Sequence, residues 1–441
     1  MHSTLMLRSW LVILPFMIIS WLWTNGAFAQ IETPSSISPV GSGARALGMG
    51  GAFIAVADDA TAASWNPGGL IQLETSEVSV VGAYFQRTED NTFGTNPEAS
   101  GLQDVDNGNL NYISAAYPFQ WLNRNMIVSV NYQHLYDFTR NWDFQGTFDS
   151  LDMDVSIEEE GSLSAIGLAS CIQMTPKLSL GLTINFWEDG LYDNKWKIVS
   201  AWENSGVDPN GAYILNSKYI ERYSFTGLNA NLGLLWSVNR NLTLGVVLKT
   251  PFTADIAYER DSSYELRYPS NPGSEANESS SSTEDENREL DMPLSYGIGV
   301  AYRFSDLLTV SADIYRTEWD DFVLTDEDGN KTSPITNKPI NETHIDPTHQ
   351  VRVGAEYLVI SKGYVIPLRC GAFYDPKPAE GSPDDYYGLS FGSGIARGRA
   401  VFDVAYQYRF GNDVGKYILE DYDFSQDIRE HTIYASVIFH F

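Results

Sequence analysis

The stretch KLSLGLTINFW, from Lys177 to Trp187, alternates apolar side chains with small or polar ones. Because successive side chains of a β-strand point to opposite faces, this period of two predicts a strand with one apolar and one wet face. The apolar positions are Leu178, Leu180, Leu182, Ile184 and Phe186, and the intervening positions are Ser179, Gly181, Thr183 and Asn185. We expect the first set to face lipid and the second to face the inside of a barrel.

The same alternation recurs in fourteen segments, at roughly 77–88, 109–119, 125–138, 160–174, 177–190, 220–237, 241–258, 292–304, 307–323, 348–360, 363–375, 384–395, 398–411 and 429–441. Their connections alternate between short ones, such as TP and SK, and long ones, mostly of about 17 to 33 residues. Short turns at one end and long loops at the other are typical of bacterial outer-membrane barrels, which have an even strand number. The pattern predicts an all-β fold, a 14-stranded antiparallel transmembrane β-barrel.

The first 29 residues have the features of a secretory signal peptide. Arg8 precedes the 13-residue apolar run Leu11–Trp23, and Ala27–Ala29 is a small-x-small cleavage motif. A run of 13 residues is too short to span a bilayer as a helix. We therefore expect residues 1–29 to be removed and the exported chain to begin at Gln30.

The chain ends in HTIYASVIFHF, which places five side chains on one face: Ile433, Ala435, Val437, Phe439 and Phe441. An aromatic closing strand of this kind resembles the recognition signal of the outer-membrane insertion machinery, so Phe441 is the expected contact with that machinery. An ordinary amphipathic strand would look the same by itself. Together with the signal peptide and the fourteen segments, however, it favours the outer membrane, with both termini periplasmic and the long loops extracellular.

The formal net charge of −29 argues against binding nucleic acid. Part of this charge lies in one predicted long loop, at Glu284, Asp285, Glu286, Glu289 and Asp291. Acidic loops can share divalent cations with lipopolysaccharide, although a solvated loop explains them as well. The run DEDGN, Asp326 to Asn330, lacks the remaining ligands of a calcium loop. No metal site and no cofactor are predicted.

Ahead of the first strand, GSGARALGMGGAFIAVADDATAASWNPGGL (Gly41 to Leu70) is rich in glycine and alanine and is typical of short helices. Its G-x-G character does not indicate a dinucleotide site because no βαβ unit accompanies it. Fourteen strands enclose a lumen that is wider than their own side chains can fill. We therefore expect residues 30–76 to form a plug with short helices inside a barrel formed by residues 77–441.

A plug of small residues needs polar anchors, and the candidates are Arg45, Asp58, Asp59 and Asn66. Asp58 and Asp59 are expected to cap the short helix ATAAS, because carboxylates suit the unpaired N–H groups at a helix start. One of the two is expected to pair with Arg45.

RALGMGGAFIAVADDATAASWNPGGL, from Arg45 to Leu70, resembles the N-terminal hatch of the outer-membrane long-chain fatty acid and hydrocarbon transporter family (FadL/TodX, OmpP1-like). The family has a G-x-G-rich start, an ADDA core and an NPA turn, whereas this chain has NPG at Asn66 to Gly68. MPLSYGIGVAYRFSDLLTVSADIYRTEWDDF (292–322) resembles a pair of the family's strands, and HQVRVGAEYLV with PLRCGAFYDPKP resembles the next pair.

The resemblance implies a plugged fourteen-stranded barrel that allows passive, diffusion-driven uptake of long-chain fatty acids or aromatic hydrocarbons. Its implied partners are those hydrophobic molecules, the lipid bilayer and lipopolysaccharide, and a monomer is expected. In the family the substrate leaves sideways through a gap near a kinked strand. The third segment here contains no Gly or Pro that would mark such a gap, which leaves Pro118 as a candidate.

The expected gating residues are Asn66, Pro67, Gly68, Arg45, Asp58 and Asp59, and the expected substrate contacts are Leu47, Met49, Phe53, Trp65, Tyr315 and Phe373. The turn at Asn66 and Pro67 is the expected hinge or latch of the plug. A hatch-bearing barrel that serves protein secretion or envelope assembly is the alternative. An enzyme is not expected, because none of the six histidines lies in a recognisable catalytic motif.

Overall fold

The computed structural model describes residues 41–148, 151–190, 194–273 and 275–441. The predicted signal peptide and residues 30–40 lie outside the described residues. Two short α-helices precede the first strand, α1 (Ala44–Gly48) and α2 (Ala62–Trp65). The 3-10 helices are Pro67–Gln72, Pro97–Ala99, Trp319–Asp321 and Glu420–Tyr422.

Twenty strands lie in one sheet of the described chain. They are β1 (Glu77–Phe93), β2 (Gly101–Trp121), β3 (Arg124–Asp137), β4 (Arg140–Phe148), β5 (Leu151–Thr175), β6 (Leu178–Trp187), β7 (Lys195–Asp208), β8 (Gly211–Ser237), β9 (Leu242–Lys249), β10 (Phe252–Arg267), β11 (Glu278–Met292), β12 (Ser295–Arg303), β13 (Leu308–Thr317), β14 (Val323–Thr325), β15 (Lys331–Thr332), β16 (Thr348–Ser361), β17 (Tyr364–Tyr374), β18 (Tyr386–Arg397), β19 (Ala400–Val414) and β20 (Phe424–His440).

Fourteen of these strands pair antiparallel in a closed ring. The order around the ring is β1, β2, β3, β5, β6, β8, β9, β12, β13, β16, β17, β18, β19 and β20. The last strand returns to the first, with Glu77 opposite His440 and Phe93 opposite Phe424. The prediction of a 14-stranded antiparallel barrel is confirmed.

The predicted lipid and lumen faces of β6 are also confirmed. Leu180 and Leu182 are 39% and 37% exposed, whereas Ser179 and Thr183 are buried. The closing strand β20 behaves alike, since Val437 is 52% exposed and its neighbour Ser436 is buried. No described helix is long and apolar enough to cross a membrane.

Much of what the sequence assigned to long loops is strand instead. The strands β4, β7, β10, β11, β14 and β15 extend the sheet beyond the ring, and β5 and β8 reach 25 and 27 residues. A tilted strand needs only about 9–11 residues to cross a bilayer. The five acidic residues between Glu284 and Asp291 therefore lie in β11 and not in a loop. Residues 278–285 are exposed, so this part of β11 lacks the apolar face on which the period of two depends.

The predicted segment 307–323 is a ring strand only as far as Thr317, because the 3-10 helix Trp319–Asp321 follows it. The predicted segment 241–258 is interrupted. It consists of β9 in the ring and β10 in the extension, with Pro251 between them. Proline has no N–H group and cannot donate to a strand ladder, so the chain leaves the ring there.

The two larger apolar clusters of the described chain lie in its interior. The first surrounds the N-terminal segment and includes Phe53, Ile54 and Trp65. The second lies between the strands of the extension, where Trp142, Trp196 and other aromatic side chains pack together. The first cluster leads directly to the candidate site.

Candidate functional site in the barrel lumen

The N-terminal segment, residues 41–73, is enclosed by the barrel wall. Nearly all of its residues are buried, and its largest side chain, Trp65, has no exposed surface. Glycines on seven ring strands contact its backbone or short side chains: Gly181, Gly233, Gly245, Gly299, Gly354, Gly371 and Gly392. A Cβ atom on Gly245 would lie 2.5 Å from the Ile54 carbonyl oxygen, so the wall leaves no room for a side chain there. These glycines let the wall approach the segment closely.

Wall side chains also bond the backbone of the segment. Asp313 Oδ2 accepts the N–H groups of Phe53 at 2.6 Å and Ile54 at 2.8 Å. Ser311 Oγ donates to the Ala52 carbonyl at 2.6 Å, and Thr183 Oγ1 donates to the Ala63 carbonyl at 2.8 Å. Buried backbone groups need such partners, and here the barrel provides what regular helices or strands would otherwise provide.

A buried chain of charges ties the segment to three more strands. Arg45 pairs with Asp58 within the segment and with Glu356 of β16, at 2.9 Å. Glu356 also accepts from Arg369 of β17 at 2.7 Å, and Arg369 pairs with Asp403 of β19 at 2.6 Å. Burial alone would lower the pKa of Arg45, but Asp58, Glu356 and Asp59 together raise it well above its usual range. Arg45 is therefore held in its charged form.

The predicted pairing of Arg45 is confirmed with Asp58, but the predicted cap of the helix is wrong. The N-cap of α2 is Thr61, and no side chain caps it. Asp59 instead accepts the Thr61 N–H at 2.9 Å in the turn ahead of the helix, which begins two residues later than predicted. Burial raises the pKa of Asp59, with Arg45 opposing this shift.

The Asn66 side chain bonds to backbone groups of the segment and to one backbone group of the wall. Its Oδ1 accepts the Gly68 N–H at 3.0 Å, which caps the 3-10 helix that begins at Pro67. Its Nδ2 donates to the carbonyls of Ile54 at 2.8 Å and of Leu234, on β8, at 3.0 Å. The expected bond of this asparagine to nearby backbone is confirmed. Its bond to the wall was not predicted.

Two cavities lie in the lumen, and the first of them borders the segment at Gly41 and Leu47. The wall cavity, of about 130 Å³, includes among its lining Leu47, Asn109, Asn111, His134, Leu135, Arg352 and Phe373. The lysine cavity, of about 80 Å³, is lined by Gln133, Leu135, Tyr136, Asn185, Trp187, Asn229, Asn231, Lys249, Thr250, Phe252, Met292, Pro293, Ser295, Tyr315, Thr317, Trp319 and Gln350. Leu135 lines both, so the two cavities are neighbours.

Three of the six predicted substrate contacts line these cavities: Leu47 and Phe373 the wall cavity, and Tyr315 the lysine cavity. Met49, Phe53 and Trp65 line neither. Phe53 packs edge-on against Trp65 with ring centroids 5.8 Å apart, and Trp65 donates to the Ser42 carbonyl at 2.7 Å. The roles of all six residues, and of the predicted gating residues, stay predictions.

The wall cavity adjoins a stretch where β2 and β3 are not paired. The β2–β3 ladder runs from Trp121 opposite Arg124 to Tyr112 opposite Gln133, and ends there. The register of β3 with β5 also shifts between His134 and Tyr136. Pro118, the candidate from the sequence, lies within the paired part. Neither Gly nor Pro marks the shift, which is why the sequence did not reveal it.

Sequence reasoning also missed Lys249, Asn231 and Gln350. The sequence did contain an indication for Lys249. Alternate residues of a strand face the same side, and Lys249 alternates with Gly245 and Val247 in LTLGVVLK, so it faces inward. Among the described residues, no group of His, Cys, Asp and Glu is arranged to hold a metal ion.

The sequence profile of one family, described as outer membrane protein transport protein (OMPP1/FadL/TodX), matches residues 18–424. The chain belongs to this family. Its members are outer-membrane transporters of hydrophobic compounds. The family predicted from the sequence is confirmed, whereas the role of the N-terminal segment as a plug stays a prediction. A comparison with curated proteins finds no match.

Solved structures similar to this FadL/TodX family member include a Pseudomonas aeruginosa FadL homologue, with a TM-score of 0.62 and 15% identity over 91% of this chain and 98% of that one. The Pseudomonas putida toluene transporter TodX gives a TM-score of 0.57 and 14% identity over 91% and 98%. The Ralstonia pickettii toluene transporter TbuX gives 0.51 and 14% over 91% and 100%. At these identities the likeness concerns the fold.

Proposed function

We propose that this FadL/TodX family member allows passive uptake of hydrophobic molecules, long-chain fatty acids or aromatic hydrocarbons, across the outer membrane. In this proposal residues 30–76 are a plug that closes the lumen of a barrel formed by residues 77–441. The termini are periplasmic and the extended strands point out of the cell. The protein acts as a monomer, and Phe441 is the contact for the insertion machinery.

The observation that carries the proposal is the pair of adjoining cavities, one of which borders the enclosed segment. They share Leu135, and the wall cavity borders the stretch where β2 lacks a ladder with β3. Backbone groups in the hydrocarbon region need partners, so an unpaired stretch of wall is tolerated where it lines a cavity. We infer that a hydrophobic molecule moves through these cavities and leaves sideways into the bilayer at this stretch.

The test is uptake of labelled oleate and labelled toluene by cells that carry the protein, an empty vector or the Leu135→Trp variant. The larger side chain fills the shared point of the two cavities, so uptake per inserted barrel should fall at least about fivefold. Leu168→Trp, at an exposed position on β5, is the matched control. Uptake of neither compound above the empty vector would contradict the proposed transport, and secretion or envelope assembly would then be the function to test.

A further inference from the structure

A third and much larger cavity, of about 1220 Å³, lies in the extension of the sheet beyond the ring. It is lined by residues of β2, β4, β5, β7, β8, β10 and β11, and we call it the outer chamber. Tyr264 of β10 lines the outer chamber, whereas Phe252, at the start of the same strand, lines the lysine cavity. The chamber and the lumen cavities therefore lie at different levels of the same strands.

A row of aromatic rings lies between the outer chamber and the lysine cavity. The ring centroids are 4.9 Å apart for Phe138 and Trp196, 4.6 Å for Trp196 and Tyr223, and 5.0 Å for Tyr223 and Tyr258. Along β10, Tyr258 lies midway between Tyr264 at the chamber and Phe252 at the lysine cavity. Side chains packed this closely leave no void for a ligand. A molecule in the chamber therefore needs another route to the lumen.

The wall of the outer chamber has a seam between β2 and β4. The first half of β2, from Gly101, pairs with β1, but its ladder with β3 covers only the part from Tyr112 to Trp121. On its side, β4 forms a ladder with β5. In the described chain no strand ladder joins residues 101–111 to β4. The wall is therefore not continuous sheet along this line.

Side chains hold the seam where the ladder is missing. Gln103 Nε2 donates to the Asp143 carbonyl at 2.6 Å, and Gln103 Oε1 accepts the Asp143 N–H at 3.4 Å. Asn107 Nδ2 donates to Asp137 Oδ2 at 2.9 Å and to Thr139 Oγ1 at 3.1 Å. Water competes for hydrogen bonds of exposed side chains, so a few such latches hold two edges less firmly than a continuous ladder does.

The seam connects the outer chamber with the wall cavity. At its outer end, Gln103 and Asp143 line the chamber. At its inner end, Asn109, His134 and Asp137 line the wall cavity. Half-buried and exposed residues alternate along β2 from Gln103 to Asn109, so the two ends of the seam share one face of the strand.

The inner side of the seam is apolar. Trp142 and Phe144 of β4 are buried, and their ring centroids are 5.8 Å apart. Phe93 of β1 packs edge-on against Phe144 at 5.1 Å. A hydrophobic molecule that enters the seam thus moves along apolar rings, and only the polar latches have to part.

We propose that the seam between β2 and β4 opens to let a hydrophobic molecule pass from the outer chamber to the wall cavity, with Gln103 and Asn107 as the latches that part. This route follows the wall and leaves the row of stacked rings in place. The inference rests on the proposed transport function and adds the way in and the residues that control it.

A reversible cross-link tests whether the seam has to open. In a Cys370→Ser background, which keeps only the buried Cys171, Gln103→Cys and Asp143→Cys are joined with a bifunctional methanethiosulfonate reagent. Because a gate that is held shut limits passage, we expect uptake of labelled oleate per inserted barrel to fall at least about fivefold and to recover after dithiothreitol. Mass spectrometry of the isolated barrel measures the extent of cross-linking.

The matched control is Ser263→Cys with Ser281→Cys, since both positions line the same chamber but lie opposite each other in the β10–β11 ladder. Cross-linking this pair should leave uptake unchanged. Unchanged uptake with the Gln103 and Asp143 positions fully linked, or an equal loss in the control, would overturn the inference while transport itself stands. A wild type that takes up no oleate above the empty vector would remove the transport function and the route with it.

Removal of the latches is a second, independent test. Gln103→Ala with Asn107→Ala removes the side-chain bonds of both latches but no bond of a strand ladder, so the barrel should keep its heat-modifiable gel mobility. One side-chain hydrogen bond changes an equilibrium by a factor of about two to ten, so uptake per inserted barrel should rise at least about twofold. Unchanged or lower uptake in this variant would contradict the role of the two latches.

Discussion

The carboxylate of Asp313 accepts the backbone N–H of Ile54 at 2.8 Å, although 259 positions of sequence separate the two residues. The same carboxylate oxygen accepts the Phe53 N–H at 2.6 Å. One wall residue therefore satisfies two successive donors of a segment that lacks regular structure at that point. This is the way in which the barrel positions its N-terminal segment.

Asp313→Ala should loosen the segment without disturbing the ring. The change leaves two buried N–H groups unpaired, at a cost of about 1–3 kcal/mol each. We expect a higher ionic conductance in planar bilayers than for the wild type, because the segment no longer fits tightly against β13. Asp306→Ala, in the exposed turn between β12 and β13, is the control. Equal conductance of the three proteins would show that Asp313 does not hold the segment closed.

A pair of arginine substitutions tests the two faces of β6. Leu182→Arg places a charge on the lipid side, where arginine costs about 2–4 kcal/mol at the bilayer midplane. We expect less inserted barrel, measured as heat-modifiable protein in outer membranes. Thr183→Arg faces the lumen and loses the bond to the Ala63 carbonyl, so this variant should insert but conduct more ions. The assignment of the faces would be wrong if both changes reduced insertion equally.

The ring was predictable because it depends on local patterns. Each ring strand has an apolar face towards lipid, and the period of two in a stretch such as KLSLGLTINFW reports that directly. The extension of the sheet beyond the ring was not predictable in the same way, since residues 278–285 of β11 are exposed on both faces. The prediction of the helix cap was wrong for a related reason. The Asp59 carboxylate accepts from Thr61 in the preceding turn, and the tertiary fold brings Arg45 and Glu77 close to it.

The candidate site was predictable only in part. Tyr315 could be chosen because it lies at an inward-facing position of a predicted strand, and it does line a cavity. Lys249, Asn231 and Gln350 belong to three strands, and their meeting at one cavity follows from the order and register of the ring. A single sequence does not contain that register, because inter-strand pairing is set by the closure of the whole barrel.

The buried Lys377, between β17 and β18, should make the free energy of unfolding depend on pH. Burial, together with the positive charges of Arg140 and Arg409, lowers the pKa of this lysine to about 7. The unfolded chain, with a lysine pKa of about 10.4, binds more protons than the folded barrel between these two values. The free energy of unfolding should therefore rise with pH across this window.

Urea unfolding in lipid vesicles at about pH 7 and about pH 9.5 measures this effect. The wild type should gain on the order of 1 kcal/mol or more relative to Lys377→Met on going to the higher pH. The exposed Lys362, in the turn between β16 and β17, provides the control variant Lys362→Met, which should track the wild type. A parallel response of all three proteins would contradict burial of the Lys377 charge.

The Asn66 side chain should help to hold the N-terminal segment against the barrel wall. Its side chain bonds Gly68, Ile54 and Leu234, and the third of these bonds joins the segment to β8. Pro67 fixes its own φ and restricts Asn66 to an extended conformation, observed at φ −149° and ψ 99°.

Asn66→Ala removes the three hydrogen bonds of this side chain but no ladder bond of the ring, so the barrel should insert normally. We expect uptake of labelled oleate per inserted barrel to change at least about threefold, because the energy that holds the segment to the wall changes by about 1 kcal/mol or more. Asn412→Ala, on the exposed outer end of β19, is the matched control. Insertion is read from heat-modifiable mobility, and unchanged uptake per barrel in Asn66→Ala and in Pro67→Ala would remove this turn from the transport mechanism.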